Sequence, residues 1–165
     1  MSCVEVIQVI EREKLFTVGQ MFDPFRFTGV PGWHLGWQDH LSLCLQKGTV
    51  DLLVLEKAFR GRETSLSNRE QHLRLKQSRH ILPDARIFRE IYKNPDLFPE
   101  AWKVGPDGDV QYIYFNGTEI MSPSGVVHIA CLYWYEGYLR YAFERLDHTT
   151  RSNIVSAVIA DHPFK

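Results

Sequence analysis

Cysteine is scarce in this chain: Cys3, Cys44 and Cys131 stand far apart and odd in number. They form no Cys-x-x-Cys pair and no disulfide framework, which favours a reducing compartment and a cytoplasmic location. Long apolar runs are missing too. Glu5, Glu11 and Glu13 interrupt the N-terminal Val/Ile stretch, so no signal peptide is expected. Uncharged stretches such as Val110 to Thr118 fall far short of the roughly 20 apolar residues of a membrane helix, so no membrane partner is expected. The sequon at Asn116-Gly117-Thr118 therefore reads as a turn.

Surplus charge of either sign is also lacking, with 19 Lys and Arg against 20 Asp and Glu. That excludes a globally basic nucleic-acid binder. Gly-x-Gly-x-x-Gly, Gly-x-x-x-x-Gly-Lys-Ser/Thr, Gly-x-Ser-x-Gly and His-Glu-x-x-His are all absent, leaving no motif for a nucleotide cofactor, a nucleophile elbow or a zinc protease. His40 and Cys44 are too few to fix a metal, and His128 and Cys131 fall on opposite faces of a strand. No metal and no cofactor are expected, and enzymatic activity is not the leading reading.

What is present is an ordinary globular composition, 44% hydrophobic and 13% aromatic, in a length suited to one domain. The expected class is α+β. Val4 to Glu11 reads as a strand on its β-branched content, and residues 24 to 37, rich in Gly, Pro and aromatics, read as a structured loop. Residues 41–46 and 50–55 suggest a hairpin, although 41–46 also matches a helical face. Pro83-Asp84 opens the clearest helix, with Ala85, Phe88, Ile91 and Tyr92 as its apolar stripe; Asn94-Pro95 ends it and a second short helical turn follows to Lys103. From Val110 to Leu146 an antiparallel meander is expected, turning at Asn116-Gly117, at Ser122 to Gly125 and at Glu136-Gly137. Arg151 to Ala160 fits either a helix or an edge strand.

A two-residue turn at Glu136-Gly137 puts Tyr135 opposite Tyr138 and divides the last hairpin into two faces. Ala130, Leu132, Trp134, Leu139, Tyr141 and Phe143 form an apolar face suited to a core. The other face carries Ile129, Cys131, Tyr133, Tyr135, Tyr138, Arg140 and Glu144. Ten of the chain's 21 aromatics lie between Trp102 and Leu146. Tyr133, Tyr135, Tyr138 and Arg140 are thus the leading candidates for a contact surface toward another protein or a second copy, provided no helix of the same chain covers them.

Two further readings rest on other segments. Residues 57 to 90 carry nine basic against four acidic residues, while the flanking blocks are each net acidic. Arg60, Arg62, Arg69, Arg74, Lys76 and Arg79 could bind a polyanion or nucleic acid. The plain alternative is a basic polar excursion over residues 60–80, solvated and mobile, whose charge complements its flanks. Trp33, His34, Trp37, Asp39 and His40 could line a pocket, the basis for an enzyme reading.

Overall fold

The computed structural model of the chain describes residues 32–42, 52–147 and 154–160. The expected strand at Val4 to Glu11 and the hairpin partner beyond Ser42 lie outside them. Among the described residues six strands make one sheet: β1 (His34–Gln38), β2 (Leu53–Glu56), β3 (Tyr112–Met121), β4 (Val127–Tyr135), β5 (Tyr138–Arg145) and β6 (Ile154–Ile159). The order is β2-β6-β3-β4-β5, with β1 also against β3. Every pairing is antiparallel except β3 with β6. Helices α1 (Asn68–Gln77) and α2 (Ala85–Lys93) complete an α+β fold. Among the described residues no helix is long and apolar enough to cross a membrane.

The α2 helix forms where its stripe requires it. Asp84 caps it by accepting from the Arg86 and Ile87 amides, and Ala85, Ile87, Phe88 and Ile91 are buried against Ile113, Phe115, Ala130 and Leu132. Single 3-10 turns at Pro95–Leu97 and Glu100–Trp102 follow and bring Phe98 and Trp102 into the same core. The last hairpin has the register expected of it, from Tyr135 opposite Tyr138 to Ile129 opposite Glu144. Glu136 and Gly137 both have positive φ, 51° and 81°, as a type I′ turn demands. The apolar face of this hairpin joins the α2 core.

Four expectations are corrected. Asn116-Gly117 is no hairpin turn: it lies inside β3, which runs straight past it with an irregularity between Phe115 and Ile120. On that side of β3, β6 pairs with Tyr112 to Tyr114 and β1 with Thr118 to Met121. The Ile81–Asp84 segment fills the gap, Ile81 bridging Ile159 and the Gly117 amide donating to the Pro83 carbonyl at 2.9 Å. The segment around Trp33 expected as loop contains β1, because His34, Leu35 and Gln38 take up the ladder beside β3. Residues 154–159 are neither helix nor edge but an interior strand, buried at all six positions, and Ile-Val-Ser-Ala-Val-Ile, β-branched at its ends and small at its centre, suits a strand covered on both faces.

The fourth correction concerns the basic excursion, which contains α1. Its buried stripe, Asn68, Gln71, His72 and Leu75, has helical spacing but only one apolar member, so a hydropathy pattern does not reveal it. The stripe lies on the sheet face opposite α2: Asn68 donates to the Tyr114 hydroxyl at 3.1 Å and Gln71 to the Ser156 hydroxyl at 3.3 Å. Ser67 caps the helix by accepting from the Glu70 amide. Because α1 buries so little apolar surface, its end contributes a large share of its stability. Ser67→Ala is expected to destabilise the protein by about 1 kcal/mol, read as a lower urea midpoint at unchanged slope.

Candidate functional site

The tip of the last hairpin gathers the first candidate set. Tyr135 and Tyr138 are 47% and 69% exposed, and the Arg140 guanidinium lies 5.9 Å from the Tyr135 ring centroid and 3.8 Å from Glu136. Tyr133 is half-buried, its ring 5.0 Å from that of Tyr112. Helix α1 covers this face over β3, β6 and the end of β5, through Tyr114, Asn116, Ser156 and the Arg145 carbonyl. No described helix lies over Tyr135, Tyr138 or Arg140.

The same hairpin supplies a second feature, one that side-chain patterning alone leaves out. Among the described residues β5 pairs with β4 only. The Leu146 amide donates to the Val127 carbonyl, which fixes the phase of the ladder. Tyr138, Arg140, Ala142 and Glu144 therefore direct their backbone groups at β4, and Leu139, Tyr141, Phe143 and Arg145 direct theirs outward.

The basic residues are not gathered into one patch. Arg60 and Arg74 border a cleft on one flank of α1, while Arg69 and Lys76 border another on its opposite flank. Arg74 is occupied: its guanidinium meets Glu70 at 2.8 Å and Glu63 through both terminal nitrogens, and these carboxylates raise its pKa further. Held by Arg74, Glu63 titrates at about 2. Lys76 donates to Glu119 at 2.9 Å and stands over the Trp37 ring at 4.5 Å. Arg62, Arg69 and Arg79 are exposed.

The aromatic loop set does not converge on one cavity. Trp33 packs on His128 at 5.1 Å and His34 is exposed, hydrogen-bonded locally to the Gly32 carbonyl. The register shift between Leu35 and Gln38 leaves Leu35 with the α2 core and sends Trp37 to α1, edge-on to His72. Asp39 ties β1 to the α2 entry, accepting from the Leu41 amide at 2.9 Å and the Leu82 amide at 2.8 Å. Burial raises the pKa of its carboxyl, against the pull of those backbone hydrogen bonds. His40 is exposed at the adjoining turn.

The structure adds a constellation that the sequence reading missed. A cleft of about 420 Å³ runs between α1, the turn before β4 and the end of β5. At its wall His72 Nε2 donates to Glu119 Oε1 at 2.8 Å, the same oxygen that Lys76 reaches. The Asn116 amide donates to His72 Nδ1 at 3.0 Å and so fixes the neutral tautomer; reversed, it would accept from an imidazolium. The two donors lower the Glu119 pKa to about 2, His72 contributing most. Only the i, i+4 spacing of His72 and Lys76 carried a signal, and it becomes legible once the helix is known. Among the described residues no three His, Cys, Asp or Glu side chains stand close enough to hold a metal.

No protein-family model matches the chain, and neither a curated protein nor a solved structure matches it.

Proposed function

We propose that the protein is an interaction module that contacts another protein through the tip of the last hairpin, where Tyr135, Tyr138 and Arg140 are exposed. The exposed tip carries this reading: the Tyr135 and Tyr138 rings are 47% and 69% exposed, with the Arg140 guanidinium 5.9 Å from the Tyr135 ring centroid. Tyrosine and arginine are the side chains that most often carry the energy of such a contact. Tyrosine adds contact area at low entropic cost.

Random peptides displayed on phage should be retained by the wild type and by a Tyr135→Phe, Tyr138→Phe double variant, which keeps both rings. The Tyr135→Ala, Tyr138→Ala double variant should lose them. Equal retention by the two double variants would remove the hairpin tip from the reading.

A further inference from the structure

We infer that the cleft beside α1 is a binding site for a small amphipathic carboxylate, an organic acid whose apolar body lies along the cleft and whose anionic head meets Arg69. The cleft sits at the opposite end of β5 from the hairpin tip, so the inference is independent of the reading above. Its volume of about 420 Å³ falls in the range of small-molecule sites, which are mostly apolar with a few placed polar groups. Leu73 of α1, Val126 and Val127 at the start of β4, and Leu146 just after β5 supply the apolar lining. Leu73 is 46% exposed, a leucine that α1 turns to this cleft and not to the core.

The charges decide what the ligand must carry. Arg69, His72, Leu73 and Lys76 follow one another along a single face of α1, with the leucine between the two cations. Lys76 and Glu119 balance each other at 2.9 Å. His72 spends both ring nitrogens on Glu119 and Asn116, and Asp147 is held by two contacts from Arg145 at 2.8 and 2.7 Å. Arg69 is left over: it is exposed and makes no hydrogen bond or ion pair among the described residues. One uncompensated cation suits one negative charge, and the planar guanidinium donates two parallel hydrogen bonds to a carboxylate. A cationic head would meet Arg69 as a like charge, and an uncharged ligand would leave it unpaired.

Proton–nitrogen correlation spectra of the full chain, titrated with octanoate, test the site. Octanoate should move the Leu73, Val126, Val127 and Leu146 amide signals along one saturable curve. Octylammonium has a similar body with the opposite head, and acetate has the head without the body; each should bind about 10-fold more weakly or not at all. Arg69→Glu should reverse the order of octanoate and octylammonium. Arg69 is exposed in the first turn of α1, where a carboxylate is favoured by the helix dipole, so this variant keeps the fold. Leu73→Ala should weaken octanoate by about 3-fold while the preference for the anion stays. Octanoate that leaves these amides unmoved, octylammonium that binds equally well, or an Arg69→Glu protein that still prefers octanoate would overturn the inference.

Discussion

Gly117→Ala is expected to be the most damaging single methyl in the described chain, destabilising it by about 3 kcal/mol or more. A Cβ at Gly117 would overlap the Leu82 carbonyl oxygen and stand 2.6 Å from the Pro83 carbonyl carbon and oxygen. Those are backbone atoms, and they have nowhere to retreat. The Gly117 amide donates to the Pro83 carbonyl, the Gly117 carbonyl accepts from the Asp39 amide, and the Ala85 amide is held by the Thr118 hydroxyl at 2.9 Å. Relief of the overlap would separate β3 from the α2 entry and break several of these hydrogen bonds together. Urea unfolding should show a much lower midpoint, or no cooperative transition at all. Gly36→Ala is the matched comparison. Its Cβ would meet the Glu119 side chain at 3.4 Å, a contact that a side chain can accommodate, and it should cost under about 1 kcal/mol. Equal losses at the two glycines would show that the crossing at Gly117 is not a tight joint.

That glycine also explains one limit of the sequence reading. Asn116-Gly117 is the strongest local hairpin signal because both residues tolerate positive φ, yet here the glycine serves a close backbone approach inside a strand. The competing contact comes from Leu82 and Pro83, more than 30 residues away, so no local window contains it. The Glu136-Gly137 turn was legible because its cause is local: the two flanking strands pair with each other, and alternation alone sorts their faces. Helix α2 was legible for the same reason, its stripe being apolar and its cap adjacent. Helix α1 was hidden because its buried stripe is polar, and a polar stripe is satisfied only by partners on distant strands. β6 was left between helix and edge strand because its burial on both faces comes from elements far from it in sequence.

The candidate sites divide along the same line. Tyr135, Tyr138 and Arg140 come together through one hairpin, and spacing places them. His72 and Glu119 are separated by 47 residues and meet only after α1 docks on β3.

The Glu119 contact sets the second large prediction, Glu119→Gln, which is expected to cost about 2 kcal/mol at neutral pH. The carboxylate receives both His72 and Lys76 on one oxygen, with Gly36 of β1 packed behind it and Arg69 and Asp147 farther along the cleft. Glutamine keeps the shape and an acceptor oxygen but offers no charge to Lys76. The sign of the pH dependence follows from the folded-state pKa of about 2 against an ordinary 4.5. A depressed carboxyl stabilises the fold above its unfolded pKa, and the contribution disappears as pH falls through the folded value. The loss at neutral pH stays below the full linkage value because the carboxylate borders an open cleft, where solvent screens it. The difference between wild type and Glu119→Gln should therefore be constant from neutral pH down to about 5, narrow from about 4.5, and vanish near 2. Urea midpoints measured on both proteins across that range would show it. Glu63, also held near 2, loses its own contribution over the same window in both proteins, so it cancels in the difference. A gap between the two proteins that persists unchanged to pH 2 would mean that Glu119 acts through shape and hydrogen bonding alone, with no charge coupling to Lys76.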